Sequence, residues 1–255
     1  MSRLPDAFLK APIAHRALHD LSAGRPENSP AAIAAACDAG YGIEIDLQLS
    51  SDGQAMVFHD YDLKRLTAET GPVRQRSAAE LGQIRLKGGS DTIPTLRQVL
   101  DQVAGRVPLL IEIKDQDGAM GAAVGALEAA TAAALEGYAG PVAVMSFNPH
   151  SMIAMAGLAP DVPRGLTTCD YTAKDWPLLP EGTRARLRGI PDYDPAKACF
   201  ISHQASDLAA PRVAALKAQG AAILCWTIRS PEAEAAARRI AQNVTFEGYP
   251  AAIPA

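Results

Sequence analysis

The chain has 255 residues and a formal net charge of −4, and 48% of its residues are hydrophobic while 20% are charged. This is the composition of an ordinary globular protein, long enough for one large barrel domain. The slight acidic excess argues against a nucleic-acid-binding protein, which needs a basic face to neutralise phosphates. Any phosphate that this protein recognises is therefore bound locally.

Short apolar runs alternate along the chain with alanine-rich stretches of helical length. Strands are predicted at residues 12–15, 42–47, 55–59, 108–114, 142–146, 164–168, 199–202, 222–227 and 244–247. Helices are predicted at residues 29–39, 95–104, 118–136, 149–157, 208–218 and 231–241. About eight repeats of strand and helix indicate a parallel sheet with helical crossovers. We predict an α/β fold, a single TIM-type (β/α)8 barrel over residues 1–255, with a doubly wound open sheet as the alternative.

Several predicted helices begin with a capping residue followed by proline. Asn28 or Ser29 can cap the first helix, and Pro30 occupies the first turn, where proline is tolerated. Residues 171–194 mix prolines with charged residues, and we predict a long loop there over the mouth of the barrel.

The cysteines and the hydropathy pattern bear on location. Cys37, Cys169, Cys199 and Cys225 are scattered and form neither a CxxC pair nor a zinc-type spacing, so we expect reduced thiols. The first residues carry no signal-peptide pattern, and no apolar run has the length of a transmembrane helix. These features predict a cytoplasmic protein without stable membrane insertion. The oligomeric state is left open.

Two predicted strands carry charged side chains on one face. Glu44 and Asp46 alternate with apolar residues, and side chains two apart in a strand share a face. Glu112 and Lys114 repeat this pattern. If they face into a barrel, three carboxylates and one ammonium need a further cation, because unpaired buried charges are very costly. Mg²⁺ or Ca²⁺, which prefer oxygen ligands, would supply it. Solvated strands with alternating charges are the alternative.

His15 and His59 each end a predicted strand and precede a charged residue. A barrel would bring both to the mouth where the carboxylates lie. One histidine could accept a proton from the nucleophile and the other could protonate the leaving oxygen, because histidine titrates near neutral pH. A cation together with Arg16 or Lys114 would neutralise phosphate oxygens. His203 also follows a predicted strand and is a further candidate to contact substrate.

A series of short motifs follows the same order as these residues. They are Ala14-His15-Arg16, Pro26-Glu27-Asn28-Ser29, Glu44-Ile45-Asp46, Ser51-Asp52-Gly53, His59-Asp60, Leu63 with Arg65-Leu66-Thr67, Ile93-Pro94-Thr95-Leu96, Ile111-Glu112-Ile113-Lys114 and, more loosely, Ser146-Phe147-Asn148 and Trp226-Thr227. Each motif alone is weak, but their order as far as Lys114 is specific. The series resembles the glycerophosphodiester phosphodiesterase family.

The resemblance implies a β/α barrel that hydrolyses small-molecule glycerophosphodiesters to sn-glycerol 3-phosphate and an alcohol. It also implies one divalent cation, Mg²⁺ or Ca²⁺. The implied roles are an acid–base pair, His15 and His59; cation ligands, Glu44, Asp46, Glu112 and, directly or through water, Glu27; and substrate contacts, Arg16, Lys114 and Trp226.

Two positions depart from the pattern of the family. The family has glycine after the His-Arg pair, where this chain has Ala17, so the shape of the first loop is in question. Near the C-terminal end the family has Thr-Asp-x-Pro, where this chain has Thr245-Phe246-Glu247-Gly248-Tyr249-Pro250. Either Glu247 takes the role of the missing aspartate or the substrate preference differs.

Two other functions are compatible with the same barrel. A lysophospholipase D-type enzyme would need an apolar lid, and Trp176, Leu178 and Leu179 form the candidate segment, unless that segment packs on its own barrel. A non-catalytic binding protein is the second, although a decayed site should have lost a histidine or a carboxylate. The sequence leaves open the alcohol, the metal and whether the glycerol hydroxyl or water attacks the phosphorus.

Overall fold

The computed structural model describes residues 3–254, in which strands alternate with helices. The strands are β1 (Ile13–Ala14), β2 (Gly42–Leu49), β3 (Ala55–Val57), β4 (Leu109–Ile113), β5 (Val142–Ser146), β6 (Arg164–Thr168), β7 (Phe200–Gln204), β8 (Ala222–Ile228) and β9 (Asn243–Phe246). The helices are α1 (Pro30–Ala39), α2 (Ala78–Leu81), α3 (Leu96–Val103), α4 (Ala126–Leu135), α5 (Pro149–Leu158), α6 (Glu181–Arg188), α7 (Pro211–Ala218) and α8 (Pro231–Ala237). None of the helices in this range is long and apolar enough to cross a membrane.

Eight of these strands close into a parallel barrel. Parallel pairing runs from β1 through β2, β4, β5, β6, β7, β8 and β9, and β9 pairs back with β1. At the closing seam, Ile13 lies beside Gly42 on one side and Thr245 on the other. The predicted TIM-type barrel is confirmed, and the open doubly wound sheet is wrong.

The chain between β2 and α3 forms a lobe on the rim of the barrel. β3 pairs antiparallel with β2, so the predicted strand at residues 55–59 is a hairpin partner of β2 and lies outside the parallel ring. A separate apolar cluster fills the lobe: Met56, Phe58, Leu63, Val73, Leu81, Leu86 and Ile93. Because His59 follows β3 closely, this small core fixes its position at the rim.

The alternation of residues in β2 separates its two faces. Ile43, Ile45 and Leu47 belong to the large apolar cluster between the strands and the helices. Side chains two apart share a face, so Glu44 and Asp46 point into the barrel. Both carboxylates are at most 2% exposed. The alternative of solvated strands is therefore wrong for β2.

The amino-terminal segment closes the other end of the barrel. Leu4 and Phe8 belong to one buried apolar cluster with inward side chains of the strands: Ile13, Leu110, Ala143, Met145, Phe200 and Leu224. The buried side chain of Asn243 donates hydrogen bonds to the carbonyl oxygens of Phe8 and Ala11, each at 2.7 Å. Because this end is closed, the barrel opens at the end formed by the carboxyl ends of the strands.

Two predicted elements differ from the structure. The predicted helix at residues 118–136 begins only at Ala126, because Gly118 and Gly125 adopt positive φ angles that interrupt it. Residues 171–194, predicted as a loop, contain α6. Since α6 buries only Leu187 among otherwise polar residues, it has almost no apolar periodicity to recognise.

Replacing Phe8 with alanine should lower the free energy of unfolding by about 3–5 kcal/mol, because it leaves a cavity at the closed end. Urea denaturation followed by circular dichroism measures the change. Leu178→Ala is the control, since Leu178 is 89% exposed, and it should change stability by less than about 0.5 kcal/mol. Equal losses in both variants would contradict the proposed packing of the amino-terminal segment.

Candidate active site

A cavity of about 180 Å³ opens at the carboxyl ends of the barrel strands. Barrel enzymes carry their active sites at this end. Seven of the ten predicted site residues line the cavity: His15, Arg16, Glu44, His59, Glu112, Lys114 and Trp226. The remaining three do not line the cavity: Asp46 belongs to the carboxylate group with Glu44 and Glu112, Glu27 is bonded to two arginines, and His203 is bonded to Thr168.

Three carboxylates meet at the floor of the cavity. Glu44 and Asp46 come from β2 and Glu112 from β4, where Asp46 and Glu112 are register partners. One oxygen from each of the three lies within 4.8 Å of the others, and all three side chains are buried. This group can hold a metal ion.

Lys114 compensates part of this negative charge. Its Nζ lies 2.7 Å from Asp46 Oδ1 and 2.6 Å from Glu112 Oε1. Burial opposes the charge on Lys114, but the two carboxylates raise its pKa overall. Burial likewise opposes ionisation of Asp46, yet Lys114 and other nearby cations lower the pKa of Asp46 overall.

Glu44 is the carboxylate that these contacts leave uncompensated. Burial raises the pKa of Glu44 well above its usual value, and the charges of Asp46 and Glu112 add to the effect. Without a further cation the side chain therefore favours the protonated form. A divalent cation with oxygen ligands fits this donor set, because it would favour the ionised carboxylate.

The loop after β1 is fastened to Glu44. The backbone N–H of Arg16 donates to Glu44 Oε2 at 2.8 Å, and that of Ala17 donates to the Glu44 carbonyl oxygen at 2.9 Å. Ala17 has a φ of 64°, in the left-handed region that glycine adopts easily and alanine only with strain. The loop therefore has the backbone turn that a glycine would favour, although this chain has alanine there.

Glu27 is held by two arginines and is not in the three-carboxylate group. Arg16 Nη1 donates to Glu27 Oε1 at 2.8 Å. Arg65 donates to both oxygens, at 2.8 and 2.9 Å. Burial disfavours the charge of Glu27, but the two arginines lower its pKa overall. Both oxygens are thus engaged by arginines, and the role of Glu27 as a direct or water-mediated ligand stays a prediction.

Each of the two predicted catalytic histidines is bonded through Nδ1 to a carboxylate. His15 Nδ1 lies 2.5 Å from Glu247 Oε2, and His59 Nδ1 lies 2.6 Å from Asp60 Oδ1. This leaves Nε2 of both rings as the nitrogen available to a ligand. Burial lowers the pKa of His15, although its bond to Glu247 acts in the opposite direction.

His203 does not join this cluster. Its neighbours Phe200 and Ser202 occupy inward positions of β7, so His203 faces the helical layer. It is bonded to Thr168 Oγ1 at 2.8 Å and to Asp207 Oδ2 at 3.1 Å. The sequence expectation that His203 lines the mouth fails, because the side-chain direction alternates along the strand.

Trp226 forms one wall of the cavity. Its Nε1 donates to the Ser202 carbonyl oxygen at 3.0 Å, and its ring packs edge-on against Phe147 at 5.5 Å between centroids. Phe147 also packs against Trp176, with ring centroids 5.1 Å apart. The candidate lid thus packs on its own barrel: Leu179 is buried as well, and Leu178 is exposed.

Asn28 and Arg229 are site residues that sequence reasoning did not assign. Asn28 donates through Nδ2 to Asp46 Oδ2 at 2.9 Å, and Ser29, not Asn28, caps α1. The Pro26-Glu27-Asn28-Ser29 motif indicates that Asn28 belongs to the site, but its position just before α1 is equally typical of a helix cap. Arg229 lines the cavity and binds Glu247 Oε1 at 2.6 Å. It follows β8 directly, and no pattern in the sequence singles it out.

This parallel barrel, with histidines, carboxylates and cationic side chains around one cavity, defines a class: barrel enzymes that act on phosphate esters. The family model described as "Glycerophosphoryl diester phosphodiesterase family" matches residues 15–245. The chain therefore belongs to this family of phosphodiesterases, which confirms the resemblance in the sequence motifs. It is an enzyme, and the alternative of a non-catalytic barrel is set aside.

Individual proteins show the same similarity. A phosphodiesterase from Oleispira antarctica, solved in complex with the product sn-glycerol-3-phosphate, has a TM-score of 0.75 and 26% identity, covering 96% of this chain and 95% of that chain. The YhdW protein of Bacillus subtilis (strain 168) is 26% identical in an alignment 250 residues long, which covers 93% of this chain and 94% of YhdW. A glycerophosphodiester phosphodiesterase from Thermotoga maritima, at 21% identity and a TM-score of 0.69 over 92% of this chain and 94% of that chain, supports the fold alone.

Glu44→Gln should stabilise the metal-free protein, and more so at pH 8 than at pH 5. Because the folded-state pKa of Glu44 is raised, the wild type loses stability as pH rises through that pKa, whereas the amide has no charge to bury. Each kcal/mol recovered raises Tm by about 2–4 °C. Thermal unfolding in chelator measures this, with exposed Glu232→Gln as the control. The same change at both pH values would contradict the assignment.

Proposed function

We propose that this protein hydrolyses glycerophosphodiesters to sn-glycerol 3-phosphate and an alcohol, using one divalent cation and His15 and His59 as an acid–base pair. One observation carries the proposal: both histidines line the same cavity as Glu44, Glu112 and Lys114. The family assignment and the product bound in the Oleispira antarctica phosphodiesterase support the substrate class.

Glu44, Asp46 and Glu112 would hold the cation, for which we propose Mg²⁺ or Ca²⁺. When bound, it would supply a positive charge that polarises the phosphoryl group. The fit rests on the clustering of three buried carboxylates and on the raised pKa of Glu44. Carboxylate oxygens are the donors that both of these ions prefer.

Arg16 and Lys114 provide the fixed positive charge that a phosphodiester anion needs. Both line the cavity, and burial makes their charges count for more than they would in water. Arg16 is kept in place by Glu27, and Lys114 by Asp46. We propose that they bind the non-bridging oxygens of the substrate, and that Trp226 packs against the glycerol or the alcohol.

His15 and His59 would divide the proton transfers. Burial lowers the pKa of His15, so its neutral form is favoured near neutral pH and its Nε2 can accept the proton of the nucleophile. His59 would then donate a proton from its Nε2 to the leaving oxygen. Asp60, which bonds to His59 Nδ1 and is itself held by Arg65, fixes the orientation of the ring for this step.

The unpaired thiols support a reducing compartment, the cytoplasm, for this activity. Three of the free cysteines, Cys37, Cys169 and Cys225, are buried, and Cys199 is partly exposed. Disulfides form in oxidising compartments, and free thiols of this kind are common in reducing ones.

A substrate panel with and without chelator tests the function. Purified protein should release glycerol 3-phosphate from glycerophosphocholine, glycerophosphoethanolamine or glycerophosphoglycerol, as measured by a coupled dehydrogenase assay. Chelator should abolish release, and Mg²⁺ or Ca²⁺ should restore it. Cleavage of lysophosphatidylcholine but of no deacylated diester would favour the lysophospholipase D-type alternative, and no release from any diester would refute the proposal.

His15→Ala and His59→Ala should each lower kcat by about 10²–10⁴-fold, which is the usual contribution of a positioned acid or base. Thermal unfolding checks that both variants fold. His203→Ala is the matched control, because His203 faces the helical layer and lies outside the cavity. If either of the first two variants retains the wild-type rate, the role assigned to that histidine is wrong.

A further inference from the structure

Glu247 makes three contacts at the rim of the cavity. Its Oε2 lies 2.5 Å from His15 Nδ1 and 3.7 Å from His19 Nε2, and its Oε1 lies 2.6 Å from Arg229 Nη2. The bond from His15, with His19 and Arg229 nearby, holds the pKa of Glu247 well below its usual range. The side chain is therefore an ionised acceptor over the whole range in which histidine titrates.

An ionised carboxylate can only accept hydrogen bonds, so the short contact requires the proton on Nδ1 of His15. The neutral ring then carries its lone pair on Nε2, the nitrogen available to a ligand in the cavity. The contact of one ring nitrogen thus sets what the other can do. A neutral His15 with the opposite tautomer would have no basic nitrogen on the cavity side.

The backbone fixes His15 and Glu247 relative to each other. The N–H of His15 donates to the Phe246 carbonyl oxygen at 2.9 Å, which continues the β1–β9 seam. The N–H of Glu247 donates to the Ile228 carbonyl oxygen at 2.9 Å. The carboxylate is therefore supported by the closure of the barrel and does not depend on a flexible loop.

The other histidine has a matching arrangement. Asp60 holds His59 Nδ1, and Arg65 donates to both oxygens of Asp60, at 2.6 and 2.7 Å. Two arginine-held carboxylates thus support two histidines on different elements. Asp60 comes from the lobe, whereas Glu247 lies in the segment where this chain departs from the family pattern.

We propose that Glu247 is a positioning residue that orients His15 and fixes the proton of the neutral ring on Nδ1, so that the lone pair of Nε2 is directed to the substrate, with Arg229 holding the carboxylate in place. This inference rests on the proposed function, because it assigns the partner of the proposed base. It is specific to the carboxylate, so a neutral side chain of the same size cannot replace it.

Kinetics of Glu247→Gln test the role. We expect kcat to fall about 10–100-fold, as for other partners that orient a functional histidine, while KM changes less than about threefold because Glu247 is not placed against the substrate. Glu247→Asp should recover part of kcat. Glu232→Gln, an exposed change at the start of α8, is the matched control and should have wild-type kinetics.

The pH profile of kcat/KM gives a second result. The charged groups that act on His15 are Glu247, Arg16 and Asp46, whereas His19 and Arg229 contact the Glu247 carboxylate. Removing the negative charge of Glu247 lowers the pKa of His15, so the limb of the profile that belongs to His15 should move to lower pH. A merely structural role for Glu247 would not move it.

Nitrogen NMR of the imidazoles, with His15→Ala used for assignment, reads the tautomer without turnover. The wild-type resonance of neutral His15 should report a protonated Nδ1, and Glu247→Gln should shift the population towards a protonated Nε2. An unchanged tautomer, or wild-type kcat and pH profile in Glu247→Gln, would overturn the inference. If the wild type cleaves no diester at all, the proposed function fails separately, and the NMR result still decides whether Glu247 orients His15.

Discussion

Three carboxylates buried at one end of a barrel are the constraint on which the rest of the site depends. Glu44, Asp46 and Glu112 are too close together to remain ionised without positive charge nearby. Lys114 supplies one such charge between Asp46 and Glu112. The negative charge of Glu44 that Lys114 leaves uncompensated is the physical reason to expect a cation. The same excess of negative charge explains why positively charged side chains line the cavity.

The same constraint accounts for the loops around the mouth. The loop after β1 adopts left-handed backbone angles at Arg16 and Ala17, which directs their N–H groups to Glu44. The lobe brings Arg65 to Glu27 and Asp60, so one guanidinium joins the first loop to the residue that holds His59. On the other side Arg229 holds Glu247. Arg16, His59 and His15 are thus each held by a carboxylate outside the three-carboxylate group: Glu27, Asp60 and Glu247.

The sequence predicts those features of the fold and the site that depend on residue periodicity or on short local motifs. The alternation in β2 has a period of two, so the inward direction of Glu44 and Asp46 was predictable once a barrel was inferred. The direction of His203 was not, because the predicted strand at residues 199–202 ends two residues before β7 does, so His203 was placed after the strand and its face was not assigned. Helix α6 escaped prediction because it buries little apolar surface.

By itself, the sequence determined the class of fold, the family and most residues that line the cavity, since apolar alternation and ordered motifs are local properties of the chain. Only the tertiary structure decided which charges are partners. In the folded chain, Arg16 and Arg65 donate hydrogen bonds to both oxygens of Glu27. Glu247 contacts His15, although the two residues are 232 positions apart in the chain. The physical reason is that barrel closure brings β9 against β1, and no local pattern records a contact between the two ends of a closed ring.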